Sequence, residues 1–238
     1  MTGAFAQVAP AFEVASIHPE AKPRNYLRFR TEDGRFTAEG TSLLALIRFA
    51  YDVENFQVRG GPDWIGDRDT QFYIQANLPD GAPDAQARAM LRSLLVERFQ
   101  LKLHQETTNG EGYVLTRGND VPTLKPPTAT PETRGCAPYP TVCRGVTLTE
   151  FTHYLSGVVF NRTVVDRTLI DGVYDVTLKW RADDTHFNGN GGRGFFAGDD
   201  GEPSIFTAIH EQLGLKLEAQ NVPITMIVVD SAQPASGN

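Results

Sequence analysis

Five histidines are the residues of this chain best suited to acid-base chemistry, because imidazole titrates near neutral pH. His104 follows the run Leu101-Lys102-Leu103, whereas the similar run Leu215-Lys216-Leu217 is followed by Glu218. The fold therefore does not require a histidine there, and this difference favours a role in a site. His186 lies in a segment rich in Gly, Asp and Asn. We predict His104 and His186 as catalytic candidates, with a place outside any site as the alternative.

The same segment carries the oxygen atoms that a hard cation prefers. Calcium takes about six to eight oxygens, which carboxylates, amides and backbone carbonyls at glycine turns supply. The spacing does not match an EF-hand loop, because Ala197 stands where the bidentate glutamate should be. The alternative is a solvated acidic loop without a metal. The predicted ligands, for calcium or another divalent ion, are Asp183, Asp184, Asn188, Asp199 and Asp200.

Three aromatic residues and one arginine are candidates for ligand binding. Trp64 ends the run Gly60-Gly61-Pro62-Asp63, in which two glycines permit a tight turn and the proline fixes it. A tryptophan there either stacks on a ligand or packs back onto the sheet. Phe195 and Phe196 lie in the acidic segment, where they cover a pocket or dock the loop on the body. Arg59 is a candidate anion contact, with an ordinary surface position as the alternative.

Composition and motifs argue against several classes of function. The chain of 238 residues has a formal charge of −7 and no long Lys/Arg cluster, which argues against nucleic acid as a partner. Its apolar runs are shorter than the roughly 18 residues of a membrane helix, so we predict no membrane span. The elbow G-x-S-x-G of serine hydrolases is absent. His210-Glu211 does not continue to a zinc-protease motif, because Gly214 stands in place of the second histidine.

Cys136 and Cys143 are the only cysteines, and both lie in a proline-rich loop. A short disulfide-closed loop is geometrically easy there, whereas a metal site would need further soft ligands. A disulfide suits an oxidising compartment. Ala4-Phe5-Ala6 resembles the end of a secretory signal, so we interpret residues 1–10 as a residual export segment. We predict an exported protein, periplasmic or extracellular.

Hydrophobic periodicity predicts the elements that must position these residues. Apolar side chains recur at helical spacing in four places, which start near Leu43, Ala87, Leu148 and Ile205. Alternation of apolar and polar residues predicts strands between the helices. The predicted strands are 12–17, 26–30, 35–38, 56–59, 71–76, 101–106, 112–117, 163–165, 173–180, 215–219 and 224–230. The fold class predicted from this pattern is α+β.

Comparison of the chain with itself indicates an internal repeat. Residues 94–104 align with 208–218, and each segment ends a helix and enters an identical Leu-Lys-Leu strand. We predict two tandem pseudo-repeats, each with two helices packed on a small mixed or antiparallel sheet. The predicted boundaries are 11–118 for the first repeat, 119–142 for a Pro/Thr-rich linker with the disulfide loop, 143–230 for the second repeat with a Gly/Asp-rich insertion at 181–202, and 231–238 for a flexible tail.

Several motifs recur together in one known family. They are Phe12-Glu13-Val14-Ala15-Ser16-Ile17-His18-Pro19, Gly34-Arg35-Phe36-Thr37-Ala38, Gly60-Gly61-Pro62 before Trp64, Val164-Val165-Asp166-Arg167-Thr168, Tyr174-Asp175 with Thr177-Leu178 and Trp180, and Gln212-Leu213-Gly214-Leu215-Lys216-Leu217. In these motifs the chain resembles the DUF3738 family, mostly exported proteins of soil bacteria, chiefly acidobacteria, whose function is not known. The helix near Leu43 also resembles the short N-terminal domains of secretins and TonB-dependent receptors. The first likeness implies export, and the second implies partner binding.

These observations predict an exported binding or recognition module with a ligand cleft between the two repeats. Its partner would be a small molecule, a peptide or an envelope component. The alternative is a hydrolase of small esters or lactones, in which calcium or another divalent metal assists a water activated by histidine or carboxylate. No cofactor other than such a metal is predicted, and the sequence indicates no oligomeric state.

Overall fold

The computed structural model describes residues 9–130, 133–137, 140–189, 199 and 201–235. Within these residues the chain is α+β, with four α-helices, several β-sheets and no barrel, which confirms the predicted fold class. The helices, all four of which were expected from the hydrophobic stripes, are α1 (Leu43–Tyr51), α2 (Ala87–Phe99), α3 (Leu148–Tyr154) and α4 (Ile205–Leu213).

Three of the four helices begin at a hydroxyl residue that accepts a hydrogen bond from the first turn. Ser42 caps α1 and Ser204 caps α4 through their side-chain oxygens. Thr147 caps α3 in a capping box, because Glu150 in turn accepts a hydrogen bond from the Thr147 backbone N–H at 2.7 Å. These contacts satisfy N–H groups that have no partner inside the helix.

The strands agree with the alternation pattern except at two long elements and at two strands near the disulfide, residues 135–137 and 141–146, which were not predicted and of which the first lies wholly in the predicted linker 119–142. The strands are β1 (Val14–Pro19), β2 (Arg28–Glu32), β3 (Arg35–Thr41), β4 (Val58–Gly60), β5 (Phe72–Asn77), β6 (Lys102–Arg117), β7 (Gly135–Ala137), β8 (Thr141–Val146), β9 (Val164–Asp166), β10 (Tyr174–Leu178) and β11 (Leu215–Ser231). β6 and β11 each join two segments that the sequence predicts as separate strands.

The chain divides into two compact units, and each has its own hydrophobic core. Unit 1 consists of the described parts of residues 1–53, 57–106 and 226–238. Unit 2 consists of the described parts of residues 54–56 and 107–225. β6 and β11 therefore supply residues to both units.

Unit 1 contains the antiparallel sheet β1-β5-β3-β2, on which α1 and α2 pack. The inward side chains alternate along the strands, and Ile17 lies opposite Ile74 in the register of β1 and β5. The two helices are also joined by polar contacts. Arg88 Nη1 donates to Phe49 O at 2.8 Å, and Arg92 Nε donates to Ala50 O at 2.7 Å. The arginines of α2 thus satisfy carbonyl groups near the C-terminus of α1.

Unit 2 contains the antiparallel sheet β10-β8-β7, together with α3 and α4. Trp180 is completely buried, and its Nε1–H donates to Thr141 Oγ1 at 3.0 Å. A π-helical turn, Leu155–Phe160, continues α3. Within it the buried Ser156 hydroxyl donates to Thr152 O at 2.7 Å and accepts from Val164 N at 2.8 Å. The Ser156 hydroxyl therefore links α3 to β9, and it already makes one hydrogen bond as donor and one as acceptor.

Each unit contains a short strand that pairs in parallel with one of the two long strands. In unit 1, β4 pairs in parallel with the C-terminal part of β11, where Val58 lies opposite Ile227. In unit 2, β9 pairs in parallel with the C-terminal part of β6, where Val164 lies opposite Tyr113. This exchange of end strands is compatible with two repeats, and the repeat itself stays a prediction. The last strand of the second predicted repeat ends in unit 1.

The predicted disulfide is present and joins neighbouring strands. Cys136 of β7 lies directly opposite Cys143 of β8 in the antiparallel register. The Cα atoms are 4.0 Å apart, and Cys143 is completely buried. The bond therefore closes a hairpin against the core of unit 2.

Candidate functional site

Two residues predicted from different motifs, His104 and Arg59, belong to one charged cluster in unit 1. His104 of β6 places Nδ1 3.0 Å from Asp230 Oδ1 of β11, and its Nε2 lies 3.1 Å from Glu106 Oε1. Arg59 of β4 forms an ion pair with Glu106. We call these four residues the His104 cluster. The side chains lie on the exposed face of the strands, opposite the core.

The carboxylates of this cluster control the charge of the imidazole. The hydrogen bond that the ring donates to Asp230, and after it the one that it donates to Glu106, raise the pKa of His104. Both ring nitrogens are held by carboxylates, so neither is free to accept a proton from a substrate. The four members also include no hydroxyl or thiol nucleophile. The two basic and two acidic side chains of the cluster form a network of ion pairs that balance one another. This network does not support the catalytic role predicted for His104.

His186 has a different environment, in the core of unit 2. Its side chain lies against Trp180, with ring centroids 4.9 Å apart, and only 5% of its surface is exposed. Its Nδ1 is 2.8 Å from the carboxylate of Asp183. The first residues of the acidic insertion are thus held against the core of unit 2 by the buried side chain of His186. A catalytic role for His186 stays a prediction, and burial leaves this imidazole little access to a substrate.

The predicted metal ligands are only partly described. The Asp183 carboxylate accepts hydrogen bonds from Thr185 N and Oγ1, at 2.8 and 2.5 Å. Burial raises the pKa of Asp183, but these bonds and the nearby imidazole outweigh it, and the net pKa is lowered. Among the residues described, no group of three or more His, Cys, Asp or Glu is placed to hold a metal. Asp184, Asn188 and Asp199 are described, whereas Asp200, Phe195 and Phe196 lie outside the described residues. The calcium site stays a prediction.

Trp64 lies in a short 3-10 helix, Asp63–Gly66, directly after the predicted turn. Gly60 and Gly61 have φ values of 75° and 81°, which glycine adopts readily. The indole is half-buried and packs against the core of unit 1. Its position agrees with the alternative that the tryptophan packs on the body of the protein, while ligand stacking stays a prediction.

A concave surface in unit 1 has the features of a ligand site. It has a volume of about 490 Å³, which is within the usual range for small-molecule pockets. We call it the Tyr26 cleft. Its lining residues are Pro23, Arg24, Asn25, Tyr26, Leu27, Gly40, Ser42, Ala45, Gly66, Asp67, Arg68, Asp69 and Gln71.

Hydrogen bonds hold both walls of the Tyr26 cleft in place. Arg24 N donates to Gln71 Oε1 at 2.7 Å, and Gln71 Nε2 donates to Arg24 O at 3.1 Å. Arg24 Nε also donates to Glu20 Oε1 at 2.8 Å. On the facing loop, the Asp67 carboxylate accepts hydrogen bonds from Asp69 N and Thr70 Oγ1. The side chains of Arg24, Gln71 and Asp67 therefore organise the cleft and are not available to a ligand.

Several other lining groups are available. Tyr26 and Leu27 are 45% and 54% exposed, and the guanidinium carbons of Arg24 and Arg28 lie 5.5 and 5.9 Å from the centroid of the Tyr26 ring. Among the described residues, the side chains of Asn25, Arg68 and Asp69 have no hydrogen-bond or ion-pair partner. The cleft thus combines the apolar surface of Tyr26 and Leu27 with three polar groups. These are the Asn25 amide and, within the described part of the chain, an unpaired Arg68 guanidinium and an unpaired Asp69 carboxylate.

Another depression of about 490 Å³ in unit 1 is less suited to ligand binding. Glu13, Asp33 and Asp80 make it acidic, and the turn residues around Gly34 and Gly81 complete it. It has no aromatic side chain in its lining. Apolar contact, which supplies most of the affinity of small ligands, is therefore weaker there than in the Tyr26 cleft.

Neither the Tyr26 cleft nor the carboxylates of the His104 cluster were predicted from the sequence. A usable signal for the cleft was the density of cations and aromatics in 24–30, Arg24-Asn25-Tyr26-Leu27-Arg28-Phe29-Arg30. Glu106 could be found from the alternation of β6, because residues 104 and 106 share a strand face. Asp230 could not be found in this way, because β6 and β11 are neighbouring strands of one sheet and no local sequence pattern indicates that pairing.

Comparison with known proteins identifies one family. The family model DUF3738, described as a protein of unknown function, matches residues 44–232, which is more than half of the chain. No curated protein and no solved structure matches. Among the residues described, no helix is long and apolar enough to cross a membrane.

Proposed function

Because the chain belongs to the DUF3738 family, whose description assigns no activity, we propose a function from the geometry. The protein is a recognition module, and the Tyr26 cleft is its ligand site. The single observation that carries this proposal is a concave, pre-organised surface with an exposed aromatic wall and unpaired polar groups. The proposed ligand is a short peptide with a free charged end.

The chemistry of the lining favours a peptide over a purely apolar or purely anionic molecule. Arg68 offers a guanidinium to a carboxylate, and the neighbouring Asp69 offers a carboxylate to an ammonium group. Asn25 provides a donor and an acceptor, which matches a peptide bond. Tyr26 and Leu27 provide the apolar contact for a side chain. A zwitterionic peptide complements all of these groups at once.

Export is part of the proposal. The Cys136–Cys143 disulfide supports it, because disulfides persist mainly in oxidising compartments. We propose a periplasmic or extracellular location, where peptides and envelope components are the natural partners. The acidobacterial origin that the family resemblance implies stays a prediction.

The alternative, a metal-assisted hydrolase of esters or lactones, has less support. It requires free carboxylates in the insertion and a histidine with access to water. Asp183 is engaged by Thr185, and His186 is buried. Both imidazole nitrogens of His104 are engaged by carboxylates. This alternative stays a prediction.

The proposal is tested by isothermal titration of the purified protein with alanyl-leucine, its N-acetyl form and its C-terminal amide. A ligand of about 14 heavy atoms at about 0.3 kcal/mol each reaches a Kd near 1 mM. We expect binding at that level or tighter for the free dipeptide. Removal of either charge should weaken it about threefold or more. Equal affinity for all three forms, or no binding, would contradict the proposal.

The same protein sample is then incubated with chromogenic esters and lactones, with added Ca²⁺ and with EDTA. The recognition module should give no turnover in either condition. Turnover that depends on Ca²⁺ and disappears with EDTA would favour the hydrolase instead.

A further inference from the structure

A small cavity in unit 2 lies at the outer edge of β10 and shares no residue with the Tyr26 cleft or the His104 cluster. It has a volume of about 240 Å³ and is lined by Thr123, Lys125, Asp175, Thr177, Lys179, Gln212 and Leu213. This volume is below the range of pockets for drug-sized ligands and suits a small ion. We call it the Lys179 cavity.

At the outer edge of β10, backbone groups are hydrogen-bonded at both ends of this cavity, at Asp175 and at Lys179. At one side, Asp175 N donates to Lys125 O at 2.9 Å. At the other, the amide of Gln212 accepts from Lys179 N at 3.0 Å and donates to Lys179 O at 2.7 Å. Residues 175, 177 and 179 point their N–H and C=O groups to the same edge, because alternate residues of a strand share an edge. Among the described residues, the N–H of Thr177 is therefore left as a free donor between the two covered positions.

Two positive charges border this donor. In the described part of the chain, neither Lys125 nor Lys179 has a carboxylate partner. Asp175 is the one acidic residue of the lining, and both of its oxygens are already used. Oδ1 accepts from Gly145 N at 2.8 Å, and Oδ2 accepts from Thr128 N at 3.0 Å. The cavity therefore keeps a net positive charge together with a free backbone N–H.

We propose that the Lys179 cavity is a binding site for a small oxyanion, which the two lysines attract and the Thr177 N–H orients. Carboxylate and phosphate share the chemistry that this lining recognises: negative oxygens that accept from N–H and ammonium donors. The hydroxyls of Thr123 and Thr177 supply further donors at the rim. The site is separate from the Tyr26 cleft and from the proposed peptide, so either can fail without the other.

The test is a titration of the ¹⁵N-labelled full chain with inorganic phosphate, and separately with malonate, at constant ionic strength. We expect saturable shifts of the Thr177 and Lys179 amide signals, with the same Kd from both signals. Lys125→Gln and Lys179→Gln should each weaken binding about two- to fivefold, as for one partly exposed charge contact. The double variant should abolish saturation. Whichever of phosphate and malonate binds with the lower Kd identifies the preferred class of anion, phosphate or dicarboxylate.

The control is Lys22→Gln, which removes the same charge in unit 1, far from the cavity in sequence. It should leave the Kd unchanged. Two results would overturn the proposal: shifts that rise linearly with the anion without saturating, or an equal loss of affinity in the Lys22 variant. Either would mean general attraction of anions to the protein surface. Amide spectra of the lysine variants with wild-type dispersion verify that they are folded.

Discussion

His104 Nδ1 lies 3.0 Å from Asp230 Oδ1, although 126 residues separate the two along the chain. The pair forms because β6 and β11 run side by side in unit 1, and both residues lie on the exposed face of these strands. Glu106 holds the other ring nitrogen. An imidazole between two carboxylates is stabilised in its protonated form, which explains the raised pKa of His104.

The first prediction concerns this titration. The pKa of His104, measured by NMR, should lie above 6.5. Asp230→Asn should lower it more than Glu106→Gln, because the hydrogen bond with Asp230 is the larger cause of the shift. A larger effect of Glu106→Gln would contradict this assignment.

The same pair makes stability depend on pH in a fixed direction. The folded pKa of His104 is raised, so its stabilisation is present in full below the unfolded value near 6.5. It is lost as the pH rises through the folded pKa. The difference in unfolding free energy between wild type and His104→Gln should therefore shrink from pH 6 to pH 9, as measured by urea denaturation. A difference that grows with pH would contradict it.

Leu169 is predicted to be a strained position. Its φ is 55°, a left-handed conformation that costs a leucine about 1–2 kcal/mol, and its side chain is 88% exposed. Arg117 Nη2 donates to its carbonyl at 2.9 Å and holds the loop in this form. Leu169→Gly relieves this strain but adds the conformational entropy cost of a glycine. The net result should be an unfolding free energy higher by up to about 1 kcal/mol.

Val121→Gly is the matched control for this substitution. Val121 is also an exposed apolar loop residue, at 87%, but it is not among the residues with positive φ. Glycine there should lower stability slightly or leave it unchanged. If thermal unfolding shows the same change for both variants, strain at Leu169 is not the cause.

Gly112 of β6 is predicted to tolerate no side chain. A Cβ atom there would lie 2.5 Å from Val222 Cγ2 and 2.6 Å from the backbone oxygen of Thr163. The second contact is with main chain, which cannot rotate away. Gly112→Ala should lower the unfolding free energy by about 2 kcal/mol or more. Gly201→Ala, where no atom of the described residues beyond the chain neighbours lies within 4 Å of the new Cβ, should change it little, and equal effects in denaturation would contradict the close packing of Gly112.

The disulfide is predicted to stabilise unit 2. It closes a short loop, for which restriction of the unfolded chain contributes about 2–3 kcal/mol. Reduction with dithiothreitol should lower the midpoint of thermal unfolding. The double variant Cys136→Ser/Cys143→Ser should unfold earlier as well and should no longer respond to the reductant. A wild-type midpoint that is insensitive to reduction would show that the hairpin is held by other contacts.

Much of the fold could be predicted because its helices and strands are amphipathic. The stripe from Leu43 to Ala50 lies on the buried face of α1, and Ser42 caps it as its position indicates. The extent of β6 and β11 could not be predicted. Gly110 and Gly112 resemble a break in the sequence, but they allow close contact with Ile224 and Val222 of the neighbouring strand.

The site was harder to predict because its parts are distant in sequence. The walls of the Tyr26 cleft come from loops around Arg24 and Arg68, joined by the hydrogen bonds between Arg24 and Gln71. Loop residues have no periodic pattern, so no local signal indicates that they meet. Arg59 and His104 were found as single residues, whereas their connection through Glu106 depends on strand pairing.

The central claim is that the Tyr26 cleft binds a peptide, and amide mapping tests it most directly. On titration of the ¹⁵N-labelled protein with alanyl-leucine, the largest saturable shifts should fall on Asn25, Tyr26, Leu27, Arg68 and Asp69. Arg68→Gln should weaken binding about threefold or more, whereas Arg30→Gln, which removes the same charge on β2 outside the cleft, should not. Saturable shifts elsewhere, or equal effects of the two substitutions, would contradict the claim.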